Sequence, residues 1–458
     1  MKVAKFGGSS MATANQLKKV GEIIKSDPSR KFIVVSAPGK RDSMDTKMTD
    51  LLIDLGNTYV KNEEYEAKLA NIMNRFTEIV SDLNLPSELL EEFRESLIDV
   101  KLNSDSDDNL MDAVKSIGED SSAKMLSAYL NLLGIQSSYV NPVDAGLILS
   151  DEPGNAQIRP ESYDKIYRLR EREGVLVIPG FFGFTEEGKL VTFSRGGSDI
   201  TGSIIAAGVE AELYENFTDV DSVYTVNPNI VPDAKKITKL TYREMRELSY
   251  AGFSVFHDEA LIPAVNAKIP VCIKSTNNPD SKGTLIVSKK KINDRIVTGI
   301  ASDTGFCSLF VSKYLLNREI GFGRKLLNIF EDEGVSFEHA PSGIDNMSVI
   351  FRESNFPIEK EKTVLDRIKN ELNPDTVSIS RDIAIIMVVG EGLVNSVGVA
   401  NRATQAFSNA KVNIEMINQG SSEVSMMFGI RAKDMERAIR SLYESYFVED
   451  KALETNTL

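Results

Sequence analysis

The chain of 458 residues has few of the side chains that bind structural metals or form disulfides. It contains two cysteines, Cys272 and Cys307, and two histidines, His257 and His339. Both cysteines lie in apolar runs, which predicts buried, reduced thiols rather than a disulfide framework. Two His and two Cys scattered along a sequence cannot build a four-ligand zinc site. We therefore predict no metal-binding residue.

The sequence also lacks net positive charge and a long apolar segment. Its formal charge is -14, so nucleic acids and anionic membranes are poor partners. No uncharged apolar run reaches the ~18 residues that predict a membrane-spanning helix, and the N-terminus enters a strand pattern directly. We expect a cytoplasmic protein. Anionic small molecules remain possible ligands where Lys and Arg are concentrated locally.

The length predicts two or three domains, since domains usually contain about 100–200 residues. Near-continuous apolar strands such as Lys31–Ala37 are typical of a parallel sheet that is buried on both faces. This α/β pattern continues to a Lys-rich segment at Val287–Asp294, which we interpret as a linker. A first domain is therefore predicted at residues 1–288.

Two similar units follow the linker. Each has the predicted order strand, helix, strand, strand, helix, strand, and the letters GVSFE in the first correspond to KVNIE in the second. These segments give predicted strands at Val335–Glu338 and Val412–Met416. The repeat predicts two ferredoxin-like βαββαβ motifs, at residues 295–378 and 379–458.

Two glycine turns, each beside a cation, follow predicted strands of the first domain. Lys5–Ser10 (KFGGSS) precedes the first helix, and Arg195–Asp199 (RGGSD) precedes a helix that starts near Ile200. Ligands of open α/β sheets bind at the carboxyl ends of strands, and glycines let backbone amides approach a phosphate. The planar guanidinium of an arginine can donate two parallel hydrogen bonds to a carboxylate. Either segment alone could equally be a tight turn or a helix N-cap.

Other polar residues allow both a structural and a functional interpretation. Glu119, which follows Gly118 at a predicted helix start, is either a carboxylate favoured by the helix dipole or a ligand for a substrate ammonium. Asp219 and Asp221 follow a strand and could orient nucleotide or magnesium, or could be turn residues. Tyr224 could stack on a base or pack in a core.

Together and in this order, the segments resemble the aspartokinases of the amino-acid-kinase family, and the resemblance covers essentially the whole chain. It rests on Lys5–Ser10, Val34–Lys40 (VVSAPGK), Gly118–Glu119, Ser194–Asp199 (SRGGSD), Phe217–Pro228 (FTDVDSVYTVNP) and the C-terminal repeat. The resemblance implies an α/β fold: an amino-acid-kinase-type sandwich with a mainly parallel central sheet, followed by two ferredoxin-like ACT domains.

The resemblance also implies a reaction and a set of contacts. The reaction is transfer of the γ-phosphoryl group of ATP, with Mg²⁺, to the β-carboxylate of L-aspartate, the first step of lysine, threonine and methionine biosynthesis. Lys5 and Asp199 would be the catalytic residues. The implied ATP contacts are Lys5, Gly7, Gly8, Ser9, Ser36, Thr218, Asp219 and Tyr224. The implied aspartate contacts are Thr49, Glu119, Arg195, Ser198 and Asp199, with Arg195 on the α-carboxylate and Glu119 and Asp199 near the α-ammonium.

The chemistry of this reaction needs no general base. An aspartate side chain has a pKa of about 3.9, so the nucleophile is already ionised at neutral pH. The obstacle is repulsion between an anionic carboxylate and an anionic phosphate, which alignment and charge neutralisation can overcome. We therefore predict that Lys5 neutralises charge, together with Mg²⁺, and that Asp199 is an orienting group.

The pair of ACT-like motifs suggests feedback inhibition by an end-product amino acid. The resemblance is strongest to lysine-sensitive, single-function members, so lysine is the expected effector. It also implies a homodimer or homotetramer assembled through the ACT domains. The candidate effector contacts are Asn317, Gly321, Phe322, Glu338, Ser342 and Asp345. Glu338 and Asp345 could hold the ammonium group of lysine, and the alternative for each is an ordinary surface charge.

Two other functions are open at this point. One is a kinase of the same fold that acts on glutamate, and the other is an inactive kinase that serves as an amino-acid sensor. Asn229, Ser254 and Asp258 differ from many family members on the expected nucleotide side, and Asn229 and Ser254 leave the sensor open as an alternative. The presence of Lys5 and Arg195 favours an active enzyme.

Overall fold

The structure, a computed structural model, describes residues 1–104, 106–194, 196–253, 258–291, 295–420 and 424–448. The chain divides into two compact units, each assembled from separate stretches of sequence. The first unit comprises Met1–Val223, Lys236–Met245 and Ser254–Lys290, and the second comprises Tyr224–Lys235, Arg246–Phe253 and Lys291–Leu458. No helix among the described residues is long and apolar enough to cross a membrane.

Strands and helices alternate along the chain up to residue 290. The strands are β1 (Lys2–Phe6), β2 (Arg30–Val35), β3 (Ser137–Tyr139), β4 (Val175–Pro179), β5 (Phe182–Phe184), β6 (Leu190–Thr192), β7 (Leu213–Thr218), β8 (Val223–Tyr224), β9 (Lys236–Ile237), β10 (Lys239–Thr241), β11 (Val271–Ser275) and β12 (Thr284–Val287). The helices are α1 (Gly8–Met11), α2 (Ala14–Ser26), α3 (Met48–Lys61), α4 (Glu66–Asp82), α5 (Glu88–Asn103), α6 (Asp107–Leu132), α7 (Pro142–Ala145), α8 (Ser162–Tyr167), α9 (Gly197–Gly208), α10 (Tyr242–Tyr250) and α11 (Ile262–Asn266).

An eight-stranded sheet forms the centre of the first unit. Its order is β10-β12-β11-β7-β1-β2-β4-β3, and every pair is parallel except β11 with β12. The apolar residues of β1 and β2, including Phe6 and Phe32, are fully buried. Such strands need no polar face because a parallel sheet is covered on both sides. The predicted mainly parallel α/β sheet is confirmed.

The second unit contains a five-stranded antiparallel sheet in the order β14-β13-β15-β17-β16. Its strands are β13 (Gly299–Ser312), β14 (Asn346–Arg352), β15 (Thr376–Val389), β16 (Met416–Asn418) and β17 (Ser425–Arg431). Its other helices are α12 (Phe322–Asp332), α13 (Ile358–Leu372), α14 (Val399–Asn409) and α15 (Met435–Tyr443).

The two 14-residue strands β13 and β15 each serve both predicted ferredoxin-like motifs. One half of their pairing lies beside β14 and the other half lies beside β17. The register shifts between Asp303 and Phe306, where Gly305 has a positive φ (81°). It shifts again between Phe306 and Ser308, and Asp382 on the opposite strand there also has a positive φ (58°). The β15 strand runs through the predicted boundary at residues 378 and 379, and the three domain boundaries stay predictions.

Two predicted strands of the repeat are wrong or misplaced. The Val335–Glu338 segment makes no regular strand, and the Val412–Met416 prediction overlaps β16 only at Met416. In both places the chain first closes a helix: Val335 N–H donates to the carbonyl of Phe330 (2.8 Å), and Val412 N–H donates to that of Phe407 (2.9 Å). Gly334 and Lys411 take the positive φ that such C-caps need. An apolar residue after a helix can therefore complete the cap instead of starting a strand.

The two cysteines are buried free thiols, as predicted. Cys272 is on β11 and Cys307 is on β13. Burial raises the pKa of each thiol to about 11. Both thiols are therefore inert as nucleophiles near neutral pH.

Candidate active site

The turn after β1 lies at the carboxyl edge of the large sheet, where the ends of three neighbouring strands meet. Gly7 N–H donates to the carbonyl of Phe217 at the end of β7 (2.9 Å). Ser36 N–H, just after β2, donates to the carbonyl of Phe6 (3.1 Å). The predicted nucleotide contacts that follow β1, β2 and β7 therefore share one edge, as ligand sites of open α/β sheets do.

The second glycine of this turn packs against the backbone of the loop that follows β2. A Cβ atom on Gly8 would lie 3.1 Å from the carbonyl oxygen of Ala37 and 3.2 Å from Cα of Gly39. Gly39 N–H donates to the carbonyl of Gly8 (2.8 Å). Gly8 and Ser9 begin the short helix α1. Close backbone approach is therefore the reason for glycine at position 8.

The two predicted catalytic residues are in direct contact. Lys5 Nζ lies 2.6 Å from Asp199 Oδ1, and both side chains are largely buried. Asp199 belongs to the first turn of α9. Lys5 Nζ also faces the glycine turn, because a Cβ atom on Gly7 would lie 3.5 Å from it. The ammonium group therefore lies between a carboxylate and the turn predicted to hold phosphate.

Two side chains of β7 that no motif singles out hold Asp199 in place. Asn216 Nδ2 donates to Asp199 Oδ1 (2.6 Å), and the Tyr214 hydroxyl donates to the carbonyl of Asp199 (3.2 Å). Burial and the charge of Asp199 raise the pKa of Tyr214 well above its ordinary value, so its hydroxyl stays a donor. The parallel register sets Asn216 beside Lys5. The available sequence signal was an amide inside the buried strand LYENFT.

Glu119 is a buried carboxyl group in the interior of a helix. Since α6 begins at Asp107, the predicted helix start at Gly118 is wrong. The interpretation of Glu119 as a carboxylate favoured by a helix N-terminus is therefore wrong as well. Burial raises the pKa of Glu119 to about 8, opposed by backbone hydrogen bonds, by the Lys5 charge and by the Ser198 hydroxyl. Its Oε2 atom has no hydrogen-bond partner in the described part of the chain. An ammonium ligand would satisfy it.

The other predicted contacts differ in their surroundings. Thr49 is in the first turn of α3, and the Thr218 hydroxyl donates to Asp219 Oδ1 (3.0 Å). Tyr224 packs against the hydrophobic cluster of the second unit, which favours its alternative as a core residue. Arg195 lies outside the described residues. Within those residues, no three His, Cys, Asp or Glu side chains form a group that could hold a metal ion.

Known sequence families cover most of the chain. Residues 1–275 match the Amino acid kinase family, and residues 386–446 match an ACT domain. Aspartokinase 3 of Bacillus subtilis (strain 168) is 54% identical over 448 residues, which cover 98% of this chain and 99% of that protein. The chain belongs to the aspartokinase family.

Solved aspartokinase structures share the fold. Aspartate kinase from Clostridium acetobutylicum has a TM-score of 0.87 at 40% identity, covering 97% of this chain and 100% of that chain. Aspartokinase III of E. coli, in complex with aspartate and ADP, has a TM-score of 0.76 at 24% identity, covering 98% and 100%. The predicted amino-acid-kinase domain followed by ferredoxin-like ACT domains is confirmed.

The three departures from many aspartokinases lie in loops or in undescribed sequence. Asn229 donates its backbone N–H to the side chain of Asn227 (3.0 Å). Asp258 begins a 3₁₀ turn, Asp258–Leu261. Ser254 lies outside the described residues.

Part of the predicted effector set comes together in the second unit. Backbone hydrogen bonds join the loop before α12 to the loop before β14, from Lys313 to Asp345 (2.8 Å) and from Asn317 to Ile344 (3.0 Å). Asp345 Oδ1 also accepts the N–H of Leu315 (2.8 Å). Asn317 and Asp345 therefore belong to one pair of loops.

Three other candidates border these loops. Gly321 has φ of 82° and caps the start of α12. Phe322 is 2% exposed and packs in the core beneath, so its ring is a core side chain and only its backbone remains for an effector. Ser342 forms an isolated bridge with Met347 at the start of β14.

Glu338 lies near the far end of β14. Its carboxylate accepts a hydrogen bond from the Tyr250 hydroxyl and lies 3.6 Å from Arg352 Nε. The same hydroxyl is 3.2 Å from Nε2 of His339. Burial lowers the pKa of this histidine. Glu338 is therefore a partnered carboxylate in this structure, which neither predicted interpretation anticipated.

Proposed function

We propose that this chain transfers the γ-phosphoryl group of ATP to the β-carboxylate of L-aspartate, giving 4-phospho-L-aspartate. The observation that carries the proposal is the largely buried Lys5–Asp199 contact (2.6 Å) at the carboxyl edge of the sheet. The substrate follows from the family and from E. coli aspartokinase III, whose structure holds aspartate and ADP. Glutamate is the competing substrate.

Lys5 neutralises charge as the carboxylate approaches the phosphoryl group. The carboxylate nucleophile is ionised at neutral pH, so the protein supplies position and positive charge rather than a base. Asp199 keeps the Lys5 ammonium aimed at the glycine turn, and Asn216 in turn fixes Asp199. A preorganised ammonium in a largely buried site stabilises developing charge more strongly than one in water.

The aspartate substrate is held at both of its α-groups. Glu119, with its unpartnered Oε2, accepts from the α-ammonium. Ser198 lies beside Glu119, and Thr49 begins the neighbouring helix α3. We assign the α-carboxylate to Arg195, whose guanidinium suits a two-point hydrogen bond.

ATP is expected to enter with Mg²⁺, and the acidic residues at this edge fit that ion. Magnesium usually keeps several waters and is bound through one or two carboxylates plus substrate phosphates. Asp199, in the first turn of α9, and Asp219, just after β7, would each supply one carboxylate. When bound, the ion would neutralise phosphate charge alongside Lys5.

The second unit is assigned a regulatory role. Aspartokinase III of E. coli has been solved with lysine and aspartate, at a TM-score of 0.75. By this likeness the ACT domains here would bind lysine as a feedback inhibitor and join subunits into a homodimer or homotetramer. The loop pair that contains Asn317 and Asp345 is the proposed contact region.

One assay tests the reaction and its substrate together. ATP turnover is measured with aspartate or glutamate, and the acyl phosphate is trapped with hydroxylamine, with and without lysine and threonine. Hydroxamate formation with aspartate alone supports the proposal. Equal hydroxamate formation with glutamate contradicts the assignment of aspartate as the substrate. No turnover with either amino acid supports the alternative of an inactive kinase that serves as an amino-acid sensor.

A further inference from the structure

Arg75 is a buried arginine that belongs to none of the sequence motifs. It lies on α4 and is 4% exposed. Its guanidinium donates to two backbone carbonyls, Nη2 to Gly39 (2.7 Å) and Nη1 to Thr46 (2.6 Å). A buried charge is costly unless it is hydrogen-bonded. Here those bonds tie together both arms of the loop, residues 36–47, that joins β2 to α3.

One arm of this loop holds the predicted phosphate turn. Gly39 N–H donates to the carbonyl of Gly8 (2.8 Å). A Cβ atom on Gly39 would lie only 2.6 Å from the carbonyl carbon of Gly8, so the two backbones are in direct contact. A displacement of Gly39 would therefore move Gly8. Arg75 reaches the turn through one intervening residue.

The other arm leads into the helix that carries Thr49. Thr46 precedes α3, and Met48 N–H donates back to the carbonyl of Pro38 (3.0 Å). Met48 is fully buried, so the start of the helix is fixed to the core. The guanidinium of Arg75 thus sets the spacing between the phosphate turn and the first turn of α3.

A carboxylate within the loop completes the arrangement. Asp45 Oδ2 lies 3.5 Å from Arg75 Nη2. The same oxygen accepts hydrogen bonds from the backbone N–H and from Nε of Arg41. Hydrogen bonds from Arg41, with the charge of Arg75, hold the pKa of Asp45 well below its usual range. Asp45 therefore stays ionised and balances the buried cation.

We propose that Arg75 is a positioning residue, which aligns the ATP-phosphate turn with the aspartate-binding end of α3 by bridging the Gly39 and Thr46 carbonyls. The inference rests on the proposed kinase function. Positioning supplies much of the catalysis in phosphoryl transfer, and a misplacement of ~1 Å can cost roughly 100-fold in rate. Arg75 acts through the loop backbone and needs no contact with either substrate.

The test compares steady-state kinetics of Arg75→Met, Arg75→Lys and Lys68→Met with the parent enzyme. Lys68 is the matched control, since it also lies on α4 and pairs with Asp54 of α3 (2.9 Å). For Arg75→Met we expect kcat/KM for ATP to fall by more than about tenfold, while Lys68→Met stays within about twofold. Arg75→Lys, which can reach one carbonyl only, should fall between parent and Met.

A thermal unfolding scan accompanies each variant. If Arg75→Met does not fold, the kinetics of Arg75→Lys and Gly39→Ala test the proposal instead. The methyl group added in Gly39→Ala would displace Gly8 without removing a charge. Kinetics unchanged in these folded variants, even at a lower Tm, would overturn the proposal. An inactive parent enzyme would instead refute the proposed function itself.

Discussion

At the scale of single residues, sequence motifs predict the charged residues of the active site better than the residues that fix their positions. Lys5 and Asp199 could be identified in the sequence as members of two turns, and the structure brings them within 2.6 Å. Asn216 could not, because its role depends on the parallel register that sets β7 beside β1. Arg75 was also missed, since its two partners are backbone carbonyls and leave no side-chain pattern.

Glu119 gives a prediction about protons. Its pKa of about 8 means that the carboxyl group is mostly protonated at about pH 7, whereas an ammonium ligand needs the carboxylate. Binding of aspartate should therefore release a proton at about pH 7, and affinity should rise as pH rises through the pKa. Calorimetric titrations in two buffers of different ionisation enthalpy measure the release.

The control for this titration is Glu119→Gln, which cannot titrate. It should bind aspartate more weakly and release no proton. A wild-type titration with no proton release near neutral pH would show that Glu119 is already ionised, or that it does not meet the ammonium.

At the scale of elements, the sequence predicts strands and helices well where apolar residues run continuously, as in β1 and β2. It fails at helix ends in the repeat, where Val335 and Val412 close caps instead of opening strands. The sharing of β13 and β15 by both ferredoxin-like motifs was also unpredictable. It depends on long-range pairing and on a register shift at Gly305.

The buried ion pair between the large sheet's strands offers a stability test. Arg30 Nε and Nη2 donate to Glu215 of β7 (2.6 and 3.1 Å), and both side chains are under one-tenth exposed. Within the described part of the chain, Arg30→Met leaves the buried carboxylate with one ion-pair partner, Lys274, whose Nζ lies 3.7 Å from Glu215 Oε1. The free energy of unfolding should fall by about 3–5 kcal/mol, as measured in urea.

Two further variants serve as controls for this change in stability. Lys189→Met removes an exposed pair with Asp151 (2.8 Å) and should cost under about 1 kcal/mol. The double variant Arg30→Met with Glu215→Leu should recover part of the loss, because the buried carboxylate is removed together with its arginine. The recovery is partial, since Lys274 then loses its contact with Glu215. A double variant as unstable as Arg30→Met would mean that packing, not charge, dominates.

At the scale of the whole molecule, the chain combines an acidic overall charge with a largely buried lysine at the proposed active site. The formal charge of -14 predicts weak binding to polyanions, yet Lys5 is buried where phosphate is expected. The division into two units follows the predicted change of pattern only roughly. Tyr224–Lys235 and Arg246–Phe253 belong to the second unit although they precede the predicted linker.

Regulation can be tested through Asp345. Asp345→Asn keeps an acceptor for the Leu315 N–H but removes the negative charge proposed to attract a lysine ammonium. The lysine concentration for half-inhibition should rise by about tenfold, with activity in the absence of lysine unchanged. Glu359→Gln, an exposed position on α13, is the control and should leave inhibition unaltered. Equal sensitivity in both variants would remove Asp345 from the effector site.

The most direct test of the account is the steady-state rate of aspartyl hydroxamate formation by the parent enzyme and by Lys5→Ala. If Lys5 neutralises the transferring phosphoryl group, kcat should fall by about 100-fold or more while the aspartate KM changes by less than about threefold. A variant that keeps its kcat but binds aspartate far more weakly would contradict the assignment of Lys5 to the phosphate.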